Sequence, residues 1–186
     1  LRQELSRIQR LPASRAGGIL SGVCAAVDTA HRRLLLHRDL KPENIYLVNS
    51  EVTETSKILD FGVVKSLTRS AGDPSENQTE PGRLIGTLKY MSPEELRGEK
   101  PAEGWDLWAL AVVAYEMLAG AHPFAGATSA EVRNAILDGK MTPIRKHLPN
   151  APETWQHFFD RALACNPASR PQSTLELLSD FKQSIA

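Results

Sequence analysis

Four polar residues in the N-terminal half of the sequence suit the transfer of a phosphoryl group: Asp39, Lys41, Asn44 and Asp60. This reaction needs positioning and charge neutralisation more than covalent chemistry. Asn44 and Asp60 offer one neutral and one anionic oxygen, which are the ligands that a hard Mg²⁺ ion prefers. Asp39 could accept or orient the proton of an attacking hydroxyl, and Lys41 would place a positive charge on the transferring phosphate.

These residues depend on the short elements around them for their positions. Apolar residues at helical spacing predict a first helix near Leu1–Ile8 and a longer helix that begins after Pro12. Short β signals follow at 34–36, 45–48 and 57–59, and the last two read as a hairpin. Residues 39–44 therefore lie between short strand candidates, and Asp60 directly follows the last of them.

The second half of the sequence predicts helices. Residues 105–119 are apolar on almost every side, as in a helix buried inside a core, and Gly120 ends that helix. Further helices are predicted at 129–138, 153–164 and 173–185, the last with Leu175, Leu177, Leu178 and Phe181 facing inward. Residues 65–93 are loop-like, and an irregular stretch of this length favours a functional segment.

The composition excludes several classes of protein. The 186 residues include 22 Lys and Arg and 22 Asp and Glu, so the net charge of zero gives no general attraction to nucleic acid. Cys24 and Cys165 are too far apart in sequence for a metal knuckle, and no apolar run is long enough to span a membrane. We therefore expect a cytoplasmic domain, although a longer protein carrying it could be membrane-anchored.

Three clusters occur in a fixed order: His-Arg-Asp-Leu-Lys-Pro-Glu-Asn at 37–44, Asp-Phe-Gly at 60–62 and Gly-Thr-Leu-Lys-Tyr-Met-Ser-Pro-Glu at 86–94. Each short cluster alone is more often a turn or a solvated loop. Together they resemble the C-terminal lobe of a eukaryotic-type serine/threonine protein kinase domain over the whole of 1–186. The style of 41–48 and the short C-terminal region are more similar to bacterial kinases.

The resemblance implies an α+β protein-kinase-like fold of which only the C-terminal lobe is present, mainly helical with a small β-hairpin at the edge of the cleft. Within it, 37–44 would be the catalytic loop, 60–62 the metal-binding triplet, 60–94 the activation segment and 105–186 a helical subdomain. The implied cofactors are ATP and Mg²⁺.

The resemblance also assigns roles to individual residues. Asp39 and Lys41 would be catalytic, and Asn44 and Asp60 would hold the metal. The nucleotide would contact a set of five residues: Lys41, Glu43, Asn44, Tyr46 and Asp60. Tyr46 would lie under the adenine ring, where its aromatic side chain could stack. Lys41 after Asp39, and Thr87 before Ser92-Pro93-Glu94, match the branch that phosphorylates Ser or Thr of a protein substrate.

Other residues would regulate or support the site. Arg38 and Lys65 could bind a phosphate on the activation segment, with Thr79 as the first candidate, or the loop could be constitutively active with incidental hydroxyls. Asp106 either favours the dipole of its helix or holds the backbone of the catalytic loop, as the resemblance implies. The structural residues implied are His37, Phe61, Thr87, Glu94, Asp106 and Arg170, with Glu94 and Arg170 forming a buried ion pair.

No glycine-rich loop and no Val-Ala-x-Lys strand precede the catalytic loop. The missing N-terminal lobe is therefore an expected partner, and we expect the isolated polypeptide to lack activity. Exposed apolar surface leaves a homodimer or a swapped dimer open. Two further functions stay open: a non-catalytic, pseudokinase-like or truncated-lobe binding module, and a small-molecule phosphotransferase. The remaining histidines read as ordinary surface or core residues: His31, His122, His147 and His157.

Overall fold

The computed structural model describes residues 1–49, 54–59, 86 and 88–186, which form helices around one small sheet. The elements are α1 (Arg2–Ile8), α2 (Ala13–His31), β1 (Ile45–Asn49), β2 (Glu54–Ile58), α3 (Pro93–Leu96), α4 (Glu103–Ala119), α5 (Ser129–Leu137), α6 (Glu153–Ala162) and α7 (Thr174–Ile185). Short 3₁₀ turns lie at Pro42–Asn44, Ile144–Lys146 and Pro167–Ser169. The predicted mainly helical architecture with a small β element is confirmed.

Helix α4 is the centre of the core. Trp108, Tyr115 and the residues between them are buried. A helix that is apolar on all sides can remove its side chains from water only when other elements pack around it on every side. Helices α2, α6 and α7 pack against it. The helix ends as predicted at Gly120, whose φ of 67° is left-handed and is easily adopted by a residue without a Cβ.

The two strands form the predicted hairpin. They pair antiparallel, with Ile45 opposite Ile58 and Tyr46 opposite Lys57. Side chains alternate in β1, so Ile45 is buried and Tyr46 is exposed. The hairpin thus rests on the helices with one face and leaves the other face open.

Helix α2 approaches strand β2 closely at Gly22. A Cβ atom on this glycine would clash with the Ser56 hydroxyl oxygen, so a side chain there would displace that hydroxyl. The same hydroxyl donates to the Ile19 carbonyl at 3.0 Å. Gly18 in the same helix faces open space and has no such function in packing.

Three sequence predictions differ from the structure. Residues 34–36 form a turn and coil rather than a strand, because Leu34 has a left-handed φ of 60° that no strand accommodates. Leu175 is exposed rather than inward-facing, since it lies at the start of α7 on the side opposite buried Leu177 and Phe181. Helices α5 and α6 end one or two residues before their predicted ends.

None of the helices in the described part of the chain combines the length and the apolar character that crossing a bilayer requires.

Candidate active site

The loop 37–44 is fixed to the first turn of α4 by one carboxylate. Asp106 accepts the backbone N–H of His37 on Oδ2 and the backbone N–H of Arg38 on Oδ1, each at 2.9 Å. Its side chain is only 1% exposed. A buried carboxylate is stable only when donors saturate its oxygens, and here two of those donors belong to the loop backbone.

His31, the last residue of α2, supplies the third donor. Its Nε2 lies 2.8 Å from Asp106 Oδ2, and its Nδ1 lies 3.7 Å from a carboxylate oxygen of Glu103. Burial alone would lower the pKa of His31, but the hydrogen bond and the charge of Asp106 outweigh it and raise this pKa above its ordinary value. This role of His31 was not predicted from the sequence, where the one signal for it is that His31 ends a helix shortly before the loop.

Arg38 is held in an unfavourable backbone conformation. Its φ is 62°, in the left-handed region that costs a non-glycine residue about 1–2 kcal/mol. The bond from its N–H to Asp106 is one contact that holds this conformation. The strain bends the chain immediately before Asp39 and so helps to aim that side chain.

His37 connects the loop to the end of the hairpin. The backbone N–H of Asp39 donates to His37 Nδ1 at 3.3 Å, so the ring proton is on Nε2, which donates to the Leu59 carbonyl at 3.1 Å. The Leu59 N–H in turn donates to the backbone carbonyl of Asn44 at 2.9 Å. The loop and the chain end of β2 are therefore locked together at the residue that precedes Asp60 in sequence.

Asp39, Lys41 and Asn44 meet in one polar cluster. Lys41 Nζ lies 3.0 Å from both carboxylate oxygens of Asp39. The side-chain amide nitrogen of Asn44 donates to the Asp39 carbonyl at 2.7 Å and to Asp39 Oδ2 at 3.1 Å. Because the amide nitrogen is used in this way, the oxygen Oδ1 is the atom that Asn44 can offer to a cation. The structure thus brings together three of the predicted site residues.

Two predicted nucleotide contacts have different surroundings. Glu43 forms an ion pair with Arg2, whose Nε lies 2.6 Å from its Oε1. Tyr46 is 57% exposed on the open face of the hairpin, and Val48 and Leu59 are also exposed, at 39% and 42%. The open face can therefore receive a planar apolar group, whereas Glu43 already has a cationic partner.

Glu94 and Arg170 form a bidentate ion pair in the core, with N···O distances of 2.7 and 2.9 Å. Arg170 also donates to the Ala164 carbonyl and lies 4.7 Å above the Trp108 ring. Burial alone would raise the pKa of Glu94, but the bonds from Arg170 outweigh it and lower this pKa. The ion pair connects helix α3, which contains Glu94, to the turn before α7, which contains Arg170.

Several predicted site residues lie outside the described residues: Asp60, Phe61, Lys65, Thr79 and Thr87. Among the residues that the structure does describe, no group of three or more His, Cys, Asp or Glu side chains could hold a metal ion.

Comparison with known proteins agrees with this geometry. Residues 1–181 match the family model described as "Protein kinase domain". The chain belongs to the protein kinase family. Among bacterial relatives, it is 32% identical over 163 residues to the probable serine/threonine-protein kinase PknB of Bifidobacterium longum and 33% identical over 168 residues to PknB of Mycolicibacterium smegmatis. It is 36% identical over 177 residues to the kinase pkn3 of Myxococcus xanthus.

These alignments cover 88%, 90% and 93% of the chain but only 23%, 26% and 32% of the respective relatives. The chain therefore spans about a quarter to a third of the length of the serine/threonine kinases that it matches. The sequence resemblance to a serine/threonine kinase domain is confirmed at the level of the family.

Proposed function

We propose that this chain is the catalytic, C-terminal lobe of a serine/threonine protein kinase, which transfers the γ-phosphate of ATP to a Ser or Thr hydroxyl of a protein. The observation that carries the proposal is the cluster of Asp39, Lys41 and Asn44 on a loop whose backbone is held by buried Asp106. An arrangement that fixes one accessible carboxylate beside one cation suits a reaction that depends on positioning.

Asp39 is the group that would orient the acceptor hydroxyl and take its proton. Its side chain is 20% exposed, so an acceptor can reach it. Lys41 now neutralises Asp39 at 3.0 Å and could turn its three N–H bonds to a phosphate oxygen when substrate binds. The proton transfer and the charge stabilisation would thus come from neighbouring side chains of one loop.

The residues present fit a hard divalent cation. Asn44 offers a neutral amide oxygen, and Asp60 follows Leu59, whose N–H is bonded to the Asn44 carbonyl. We propose that Asn44 and Asp60 hold Mg²⁺, which when bound neutralises the charge of the ATP phosphates. Tyr46 would stack under the adenine ring, because its ring is exposed on the open face of the hairpin.

The same open face would also contact the missing N-terminal lobe, the partner that completes the nucleotide cleft. Exposed Tyr46, Val48 and Leu59 support this assignment, since adjacent apolar side chains favour a partner surface. In the absence of that lobe, the face could pair with a second copy of the chain. Arg38, Lys65 and a phosphate on Thr79 remain the proposed regulatory group.

The test is transfer of labelled phosphate from ATP to a protein acceptor by the full-length protein that carries this chain, with Mg²⁺. We expect the Asp39→Asn variant to lose at least about 100-fold in kcat. The matched control is Asp138→Asn, since Asp138 forms only an exposed ion pair with Lys140. Equal rates for the wild type and Asp39→Asn would disprove the proposed catalytic role.

The isolated 186-residue chain provides a second arm. We expect it to show no phosphotransfer under the same conditions, because half of the nucleotide cleft would be absent. If the full-length wild type shows no transfer although it folds and binds ATP, the binding-module alternative replaces the enzyme.

A further inference from the structure

Arg2 uses all three guanidinium nitrogens on three different partners. Nε lies 2.6 Å from Glu43 Oε1, Nη1 lies 2.5 Å from Glu116 Oε1, and Nη2 donates to the Tyr90 hydroxyl at 2.6 Å. A guanidinium is planar and rigid, so three short bonds fix the relative positions of the three partners more strictly than separate ion pairs would.

Two of the partners are also bonded to each other. The Tyr90 hydroxyl donates to Glu116 Oε2 at 2.6 Å, which closes a ring of hydrogen bonds through Arg2, Glu116 and Tyr90. Tyr90 is buried, and the Glu116 side chain is only 13% exposed. Burial and the neighbouring Glu116 raise the pKa of Tyr90, so its hydroxyl remains a donor at any ordinary pH.

Burial separates the bonds of Arg2 to Glu116 and Tyr90 from ordinary surface ion pairs, whereas the bond from Arg2 to Glu43 is exposed. An exposed pair contributes about 0–1 kcal/mol and can be removed with little effect. Removing Arg2 instead leaves the charge of Glu116 beside a buried phenol without its cation, which is costly in a poorly solvated place. The bonds among Arg2, Glu116 and Tyr90 therefore act as one connected unit, and the same guanidinium extends it to Glu43.

The cluster joins four parts of the chain that are distant in sequence. Arg2 begins α1, Glu43 lies within the catalytic loop, and Glu116 is in α4. Tyr90 lies in the segment that leads to buried Glu94. Two of these parts form the site itself: Glu43 precedes Asn44, and Tyr90 lines a small hollow together with Arg38, Asp39 and Met91.

We propose that Arg2 is a positioning residue that sets the catalytic loop and the segment around Tyr90 at a fixed distance, so that a protein acceptor is presented to Asp39. Arg2 acts through Glu43 and Tyr90 and does not touch the reacting groups. This inference rests on the proposed function, because it concerns how the acceptor of that reaction is held.

The first experiment needs no activity. Hydrogen–deuterium exchange is measured on the 186-residue chain for the wild type, Arg2→Ala and Arg2→Lys. We expect Arg2→Ala to speed exchange about fivefold or more in the peptides around 41–46 and 88–92, with no change in α6 and α7. Arg2→Lys should remain closer to Arg2→Ala than to the wild type, because one ammonium cannot reproduce the three directed bonds.

The matched control is Arg7→Ala, which removes an exposed arginine of the same helix that is bonded to Glu4 within that helix. It should leave both segments unchanged. Two results in Arg2→Ala would overturn the proposal. Faster exchange over the whole chain would mean that the substitution destabilises the entire fold. Faster exchange in α1 alone would mean that Arg2 stabilises only the start of its own helix.

The second experiment measures kinetics in the full-length protein. We expect Arg2→Ala to raise KM for the protein acceptor roughly tenfold while KM for ATP stays unchanged. Tyr90→Phe should have a similar effect, and the double variant should be no worse than either single variant, because both remove the same unit. A merely structural role would lower kcat through loss of folded enzyme and leave both KM values unchanged, which would refute the proposal.

The two failures can be separated. Loss of the exchange effect disproves the role of Arg2 whatever the activity. An intact exchange effect in a protein without phosphotransfer disproves the proposed function and leaves Arg2 as a link between the two segments.

Discussion

Two aspartates at the loop 37–44 have contrasting surroundings. Asp106 lies beneath the loop, is almost fully buried and accepts two backbone N–H groups and one imidazole. Asp39 lies on the surface of the loop, is partly exposed, and is contacted by the ammonium of Lys41 and the amide of Asn44.

The difference separates support from chemistry. Backbone donors cannot move away without unfolding the loop, so they make the carboxylate of Asp106 a fixed anchor. Side-chain donors can turn to another acceptor when one arrives, which fits the proposed role of Asp39 in the reaction. The strained residue Arg38 is bonded to Asp106 through its backbone N–H and directly precedes Asp39. Asp106 therefore helps to determine the direction in which the Asp39 side chain points.

The largest expected effect comes from replacing each of these aspartates with asparagine. Asp106→Asn should reduce the free energy of unfolding by roughly 2–3 kcal/mol, because an amide cannot accept three donors and turns its own N–H groups toward them. Asp39→Asn should change it by less than about 1 kcal/mol, since water reaches its partners. Urea unfolding of the 186-residue chain measures both values, and equal losses would contradict the division between anchor and reactive group.

The protonation of His31 sharpens the comparison further. Because its folded-state pKa is raised above the ordinary 6.5, its bond to Asp106 stabilises the fold fully below pH 6.5, and this contribution is lost as the pH rises through the higher folded-state pKa. We therefore expect His31→Asn to lower the free energy of unfolding by roughly 1–2 kcal/mol at about pH 5.5 and by clearly less at about pH 8.5.

Several charged groups neighbour His31, namely Asp106, Glu103 and Asp28. The control for the histidine itself is His157→Asn, since His157 is well exposed. The loss of unfolding free energy relative to the wild type should change between the two pH values for His31→Asn and not for His157→Asn. A cost that grows with pH would show that the imidazole binds as a neutral donor.

The smallest expected effect concerns two residues with left-handed backbone, Leu34 and Arg38. Leu34 is 91% exposed, so its side chain contributes little packing to offset its φ of 60°. Leu34→Gly should therefore raise the free energy of unfolding by up to about 1 kcal/mol. The gain is limited because glycine also gives the unfolded chain more conformational entropy. Arg38→Gly should gain less in stability, because its side chain is partly buried.

Thermal unfolding of the two glycine variants tests this difference. A lower melting temperature for Leu34→Gly would mean that the leucine side chain makes a contact that outweighs its backbone strain.

The sequence by itself determined the elements and the candidate chemistry. The apolar run that became α4 and the short β signals that became the hairpin are local patterns, so the elements they form can be predicted without coordinates. The order of the clusters at 37–44, 60–62 and 86–94 indicated the family, which the match over 1–181 confirmed.

Only the tertiary structure showed which polar groups meet at His31 and at Arg2. From the sequence alone, His31 reads as an ordinary residue, and Arg2, Tyr90 and Glu116 do not stand out, because none of them shows a pattern along the chain. Their partners lie 75 residues away for His31 and as many as 114 away for Arg2. Hydrogen bonds and ion pairs depend on distances of about 3 Å between atoms, and local periodicity carries no information about contacts between distant segments.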